Sequence, residues 1–283
     1  MNNEDIRGLT WWAREKVRGF MTGNHKSPDF GFSLDFAQHR AYVPGDSPKY
    51  IDWSVVARQD KFLTKQFEAE SNLRAYFVLD SSASMFTPKD SLKWTRAVQL
   101  ITLSATLLQK QRDAIGLLEL RDKSAHFFQA KSTHDSIEQL LFHINGKEER
   151  KAENGLLAEE LIKMLETIPK KSQVILFTDV FHENSSAIIN ALGLLKHFGH
   201  DVTVGILYSE SFELIPGAYA GSLVKDKETE VKTFIDVSLN QNLSAYVAAQ
   251  LEFFKNELGK VGVKSLSLNT DDEVMVSFYK LLS

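Results

Sequence analysis

From residue 73 onward, short apolar runs alternate with longer amphipathic stretches, and this alternation constrains the fold more than any other feature of the sequence. The runs LRAYFVLD, DAIGLLEL, QVILFTDV and DVTVGILY are typical of strands that are buried on both faces. In the stretches between them, apolar residues recur at helical spacing. We therefore predict an α/β protein with a doubly wound, mostly parallel sheet and helices on both faces.

The helix predicted between residues 91 and 110 carries its apolar residues on one stripe. These residues are Trp94, Ala97, Val98, Ile101, Ala105 and Leu108. Such a stripe is typical of an amphipathic helix that covers one face of a sheet.

Residues 1–70 follow a different pattern. A helix is predicted first, and a turn-rich, aromatic-rich segment follows with two strands and the short helix IDWSVVAR. Because this part is short and no long linker follows it, we expect an N-terminal helix and strand elaboration packed on a main domain of residues 71–283. The apolar face of the first helix would carry Ile6, Leu9, Trp12, Val17 and Phe20.

The composition excludes several classes of protein. The chain has 283 residues, a formal net charge of −4 and no cysteine, which argues against nucleic-acid binding and excludes disulfides and thiolate sites. No apolar run is long enough for a membrane-spanning helix, and the acidic start of the chain differs from a signal peptide. We expect a cytoplasmic protein that binds no nucleic acid.

Carboxylates and hydroxyls follow two of the predicted strands. Asp80, Ser82 and Ser84 come directly after the first strand of the main domain, and Asp179 follows the strand QVILFT. Because the carboxyl ends of parallel strands meet at one edge of a sheet, we expect these side chains to converge. An all-oxygen set of this kind suits Mg²⁺. The competing interpretation is a serine-rich turn in which Asp80 accepts backbone hydrogen bonds.

The pattern Asp80-x-Ser82-x-Ser84 resembles the metal-ion-dependent adhesion site of von Willebrand factor A domains. Upstream residues resemble a narrower group, the bacterial "domain of unknown function 58" family. The residues that carry this resemblance are Arg40, Tyr42, Gly45, Asp46, Asp52, Trp53, Arg58, Glu68 and Glu70. The resemblance implies a von Willebrand A-like fold and an adaptor or chaperone-like role beside MoxR-type AAA+ ATPases.

The chain departs from the family pattern at three positions. Lys49 stands where the family often has Arg, and Ser47 where it often has a second acid. Gly155 stands where von Willebrand A domains usually place a metal-binding Thr, and Thr133 precedes a different helix. One coordinating hydroxyl is therefore expected to be missing. The sequence leaves open whether metal binding is weakened, completed by water or lost.

The upstream residues allow two interpretations. In the first they fasten a subdomain, with Trp53 filling the core and Asp46 capping the IDWSVVAR helix or pairing with Arg40 or Arg58, since buried charges need partners. In the second they form a partner-binding surface. The two interpretations do not exclude each other.

Three hypotheses for function follow. The first is a non-enzymatic protein-binding module with a metal-dependent rim, which His182 would also line. The second is a metal-dependent phosphohydrolase with Asp80 as nucleophile, although such an enzyme needs an acid where this chain has Ser82. The third is a scaffold with a vestigial metal site. His197 and His200 are expected to be ordinary surface residues.

Overall fold

The architecture was obtained from a computed structural model of the chain. The structure describes residues 3–22, 36–43, 51–59, 62–67, 73–86, 92–121, 124–144, 156–182, 184–214, 222–225, 232–235 and 237–283.

Helices and strands alternate along the described chain, as the hydrophobic pattern predicts. The helices are α1 (Asn3–Thr22), α2 (Trp53–Gln59), α3 (Lys93–Lys110), α4 (Ser136–Ile144), α5 (Leu156–Thr167), α6 (Ser185–His197), α7 (Val237–Lys260) and α8 (Val274–Leu282). The strands are β1 (Phe36–Ala41), β2 (Leu63–Phe67), β3 (Arg74–Leu79), β4 (Ala114–Arg121), β5 (Ser124–Lys131), β6 (Gln173–Thr178), β7 (Asp201–Tyr208), β8 (Ser222–Lys225), β9 (Lys232–Ile235) and β10 (Lys264–Asn269). A 3₁₀ turn (Ala83–Phe86) follows β3, and a π-helical turn (Glu210–Leu214) follows β7.

Six strands form the central sheet in the order β10-β7-β6-β3-β4-β5. All neighbours are parallel except β5, which pairs antiparallel with β4 at one edge. If the six strands are numbered in chain order, with β3 as the first and β10 as the sixth, the sheet read from β5 to β10 has the order 3-2-1-4-5-6. This is the strand order of doubly wound folds. The predicted α/β fold with a doubly wound, mostly parallel sheet is confirmed. The strand order reverses between β3 and β6, and ligands bind such sheets at that point.

The sheet is buried on both faces because its strands alternate between two cores. In β3, Ala75, Phe77 and Leu79 belong to the core beneath α1, α3, α4 and α8. Tyr76 and Val78 belong to the core beneath α5, α6 and α7. This period of two in a fully apolar run is what a strand covered on both sides requires.

Helix α3 is buried on more sides than its predicted stripe indicates. Leu100, Leu103 and Leu107 are buried in addition to five of the six stripe residues, and Trp94 is half-buried. The reason is α1, which packs against α3 and contributes Ile6 and Val17 to the same core. The predicted stripe was therefore incomplete, because a second layer of helix covers the outer side of α3.

The chain divides into two compact units, one formed by residues 1–22 and 73–283 and the other by residues 23–72. Helix α1 thus belongs to the unit that contains the six-stranded sheet. In the smaller unit, β1 and β2 form an antiparallel pair and α2 lies between them in the chain. The packing of residues 1–70 as one elaboration on residues 71–283 stays a prediction.

In the part of the chain that the structure describes, every helix is too short or too polar to cross a lipid bilayer.

Candidate metal centre at the carboxyl edge of the sheet

Asp80 and Asp179 directly follow β3 and β6, the two strands at the reversal point of the sheet. The backbone N–H of Asp80 donates to the carbonyl of Phe177 at 3.1 Å, so the pairing of β3 with β6 continues to the first residue of the loop. Asp80 and Asp179 are 1% and 0% exposed. A buried carboxylate needs hydrogen-bond donors or cations around it.

The four predicted metal ligands are connected by hydrogen bonds. Ser82 donates to Asp80 twice, from its backbone N–H at 2.9 Å and from its hydroxyl at 3.1 Å. The hydroxyls of Ser82 and Ser84 are 3.0 Å apart, and Ser84 Oγ donates to Asp179 Oδ1 at 3.1 Å. Ser84 and Asp179 are 95 positions apart in the sequence, and the fold brings their side chains into contact.

The 3₁₀ turn Ala83–Phe86 aims Ser84 at the site. The N–H of Met85 donates to the carbonyl of Ser82 at 3.1 Å, which tightens the loop directly after β3. Met85 is 1% exposed and anchors this turn in the core. The sequence Asp-Ser-Ser-Ala-Ser-Met therefore combines a polar rim with an apolar anchor.

Thr178 and His182 complete the environment of Asp80. Thr178 Oγ1 donates to Asp80 Oδ2 at 2.6 Å and lies 2.6 Å from His182 Nε2, which is 3.4 Å from the same carboxylate oxygen. Potential ligand atoms of Asp80, Asp179 and His182 all lie within 4.8 Å of one another. His182 thus lies at the rim, as expected. Thr178 was not among the predicted ligands, although its place as the last residue of β6 was a usable signal.

Gly155, at the position of the expected missing hydroxyl, lies outside the described residues. Thr133 contacts the hydroxyl of Ser136 at the start of α4, at 2.8 Å. Thr178 is therefore the threonine that the described structure brings to this site.

Lys93 is the main component that the sequence analysis missed. Its side chain is fully buried, and its ammonium donates to Asp179 Oδ2 at 2.8 Å and to Glu213 Oε1 at 2.7 Å. The other oxygen of Glu213 accepts from the N–H of Ser209 at 2.9 Å. A lysine one turn before Ala97, a residue of the predicted apolar stripe, was a sequence signal for the burial of Lys93, because positions i and i+4 share a helix face.

The charges of this cluster shift one another's pKa. Burial alone would lower the pKa of Lys93, but Asp179 and Glu213 outweigh it, so the pKa lies above its usual value. Burial alone would raise the pKa of Asp179, but the nearby charges of Lys93 and His182 outweigh burial and hold this pKa below its usual value. For Glu213, burial dominates and raises the pKa. The Lys93–Asp179 pair therefore favours its charged form.

The donor set suits a hard divalent cation. Carboxylate and hydroxyl oxygens from Asp80, Ser82, Ser84 and Asp179 are the ligands that Mg²⁺ prefers, with water completing the coordination. Asp179 has one oxygen directed at Ser84 and the other at Lys93. Lys93 thus fixes the orientation of a candidate ligand from outside the donor set.

The structure describes part of the upstream motif. Asp52 begins α2, since its carbonyl accepts from the N–H of Val55 and of Val56. Trp53 is 61% exposed, so the expectation that it fills the core was wrong. Arg58 is exposed in the last turn of α2, and the N–H of Tyr42 donates to the carbonyl of Phe62 at 3.0 Å.

Of the five remaining motif residues, one has a described backbone and four lie outside the described residues. Arg40 is described only through its backbone, which pairs with Thr64 in the β1–β2 ladder. Gly45, Asp46, Glu68 and Glu70 lie outside the described residues. Their proposed roles stay predictions.

Comparisons with known proteins identify relatives of the chain. A family model described as "Protein of unknown function DUF58" matches residues 38–252. Uncharacterized proteins of Mycobacterium bovis and Mycobacterium tuberculosis are 31% identical over 80 residues, which is 28% of this chain and 25% of theirs. The match thus spans about a quarter of the length of these curated relatives.

Two solved structures align with this chain at low sequence identity. The conserved hypothetical protein BatB from Bacteroides thetaiotaomicron aligns with a TM-score of 0.44 and 15% identity, over 74% of this chain and 97% of that one. The VWA domain of SpRpn10 aligns with a TM-score of 0.40 and 9% identity, over 73% and 93%. At this level of similarity, neither structure assigns a function to the chain.

Proposed function

The chain belongs to the DUF58 family of proteins of unknown function, and from this premise we propose that it is a non-enzymatic module that binds a partner protein through a metal-dependent rim. The observation that carries the proposal is the connected set of Asp80, Ser82, Ser84 and Asp179 at the reversal point of the sheet. Such points are where doubly wound sheets bind their ligands.

In this proposal these four side chains would hold Mg²⁺, and Thr178, whose hydroxyl donates to Asp80, would take the place of the expected third-loop threonine. The ion would supply a Lewis acid with coordination positions left for water or for a carboxylate of the partner. Lys93 occupies one oxygen of Asp179 and leaves the other directed at Ser84. His182 orients Asp80 together with Thr178.

The partner proposed is a MoxR-type AAA+ ATPase, which the resemblance of the Asp80 loop and the upstream motif to the family implies. An acidic side chain of that ATPase would reach the rim. Partnership with an ATPase also supports a cytoplasmic location, where ATP is available.

The test is binding of the purified, co-encoded MoxR-type ATPase to the immobilised chain. Because chelators also remove Mg²⁺ from the nucleotide of an ATPase, the comparison is made between variants at constant Mg²⁺. Asp80→Asn and Ser84→Ala are expected to weaken binding while the fold is kept. The matched control is Asp201→Asn, since the Asp201 side chain is 68% exposed and contacts Lys196 on the surface. Equal affinity for Asp80→Asn and the control would contradict the metal-dependent rim.

A metal-independent scaffold is the second candidate, and the Lys93–Asp179 contact favours it. An ammonium 2.8 Å from Asp179 already balances one carboxylate of the site. In that case the partner would bind elsewhere, with the upstream block of Arg40 to Arg58 as the next surface to mutate. Unchanged ATPase binding by Asp80→Asn, together with no stabilisation by Mg²⁺, would favour this candidate.

The phosphohydrolase alternative has less support. Ser82 stands two positions after Asp80, where such an enzyme needs a second acid, and it donates its hydrogen bonds to Asp80 itself. Turnover of a generic phosphate ester that is lost in Asp80→Asn would restore this alternative.

A further inference from the structure

One side of α1 carries an exposed tryptophan between arginines. Arg7, Trp11, Arg14 and Arg18 are spaced by three or four residues and so share one side of the helix. Trp11 is 67% exposed, and the three arginines are exposed, with Arg18 also bonded to Glu15 at 2.7 Å. Another side of α1, with Ile6, Ala13 and Val17, is buried in the core. We name these four residues the α1 stripe.

Helix α4, which packs against α1, carries an exposed surface of the opposite charge. Asp135, Glu138, Gln139 and Phe142 are exposed there, and Phe142 is 66% exposed. Together with His143 they line a shallow concavity of about 390 Å³. We name Asp135, Glu138, Gln139 and Phe142 the α4 patch.

We propose that the protein forms a two-fold symmetric dimer in which the α1 stripe of each copy packs on the α4 patch of the other. Trp11 enters the concavity beside Phe142, and the arginines contact Asp135 and Glu138. This proposal is independent of the metal-dependent rim, which uses other residues at the edge of the sheet.

The chemistry of the two surfaces is complementary. Tryptophan and arginine contribute binding energy at protein interfaces more often than other residues do, and they act best when they fill a pocket on the partner. Arginine also pairs with carboxylates through two parallel hydrogen bonds. In the described part of the chain, Trp11 and Phe142 are the two most exposed large apolar side chains, and exposure of that kind marks an interaction surface.

Symmetry explains why both surfaces lie on neighbouring helices of one chain. In a two-fold dimer, if the stripe of one copy contacts the patch of the other, the reverse contact forms at the same time. Every complementary contact is therefore made twice. An anionic membrane is a poorer occupant, because the stripe offers one apolar side chain and the adjacent α4 patch would be repelled.

The test is the dimer dissociation constant of the full chain, measured by sedimentation equilibrium. Trp11→Ala and Phe142→Ala are each expected to raise it at least about tenfold, as for residues at the centre of an interface. Lys16→Glu and Phe198→Ala are matched controls, since Lys16 is exposed on another side of α1 and Phe198 is 57% exposed after α6. Both controls are expected to leave the constant unchanged.

A charge exchange tests the pairing of the two surfaces. Arg7→Glu/Arg14→Glu and Asp135→Lys/Glu138→Lys are each expected to be monomeric, because every variant dimer contains two like-charged contacts. An equimolar mixture is expected to dimerise, since it restores one contact with exchanged charges and keeps one original contact.

Three results would overturn the proposal. They are a chain that stays monomeric at all concentrations, a dimer that the stripe and patch variants do not weaken, and a charge-exchange mixture that stays monomeric. Binding of the chain to phosphatidylserine vesicles that is lost in Trp11→Ala, without dimerisation, would assign the stripe to a membrane instead.

Discussion

Lys93 Nζ lies 2.8 Å from Asp179 Oδ2, and neither side chain is exposed to solvent. The same ammonium lies 2.7 Å from Glu213 Oε1. One cation at the start of α3 thus joins the loop after β6 to the π-helical turn after β7. A buried charge without a partner is costly, so each member of this cluster depends on the others.

Replacing Lys93 by Met is expected to destabilise the fold by about 3–5 kcal/mol, because it leaves two buried carboxylates without their cation. The measurement is the free energy of unfolding in urea. Lys163→Met is the control, since Lys163 also contacts one carboxylate, Glu160, but with a side chain that is 64% exposed. The control is expected to cause no measurable change. An equally small loss for Lys93→Met would mean that the cluster contributes little to stability.

Replacing Thr178 by Val removes the hydroxyl that donates to Asp80 Oδ2 and keeps the shape of the side chain. We expect a loss of about 1 kcal/mol of unfolding free energy, the typical net contribution of one hydrogen bond, because Asp80 Oδ2 still accepts from Ser82 Oγ. Thr102→Val is the matched control, because Thr102 is also buried but donates within α3, to the carbonyl of Val98. If both variants lose equally little, the Thr178–Asp80 contact is not important for the fold.

Mg²⁺ is expected to raise the midpoint of thermal unfolding relative to EDTA, since a ligand that binds only the native state stabilises it by about 2.7 kcal/mol at one hundred times its Kd. Asp80→Asn and Thr178→Val are expected to reduce this shift in the midpoint. Asp201→Asn is the control and is expected to show the same shift as the unmodified chain. The readout needs no partner protein. A midpoint that is identical in Mg²⁺ and EDTA for the unmodified chain would favour the metal-independent scaffold.

The stability of the protein is expected to fall as the pH drops below about 6.5, in part because of His200. His200 is 3% exposed, so the expectation of a surface residue was wrong. Burial lowers the pKa of His200 below its ordinary 6.5, and a hydrogen bond with the Ser172 backbone offsets only part of this. At a pH between the pKa of His200 in the folded protein and its ordinary pKa, the unfolded chain therefore binds more protons than the folded protein. The free energy of unfolding decreases as the pH falls through this range.

The measurement is the difference in unfolding free energy between a neutral and a mildly acidic buffer. His200→Gln is expected to show a smaller difference than the unmodified chain. His197→Gln, with an exposed side chain three residues earlier, is expected to behave like the unmodified chain. Parallel pH profiles for all three proteins would exclude His200 as a source of acid sensitivity.

The sequence predicted the sheet well because strands buried on both faces leave short apolar runs, and here these runs alternate with longer amphipathic stretches. It also predicted that Asp80 and Asp179 would meet, because parallel strands end at one edge. It did not predict the Lys93–Glu213 contact, because partners 120 residues apart leave no periodic pattern in the chain. The exposure of Trp53 was missed for a related reason, since a single aromatic residue in a short helix does not reveal which side is covered.

The second layer formed by α1 over α3 has a consequence for how the chain tolerates change in length. The residues between α1 and β3, from Gly23 to Asn72, are a separate unit inserted between two parts of one core. The entropy lost in closing such a segment grows only with the logarithm of its length, about 0.6 kcal/mol for each doubling. The closure entropy of the main unit is therefore insensitive to the length of this insertion. Deleting α1 itself would instead remove Ile6, Ala13 and Val17 from the core that α1 shares with α3, expose part of α3 to water and promote aggregation.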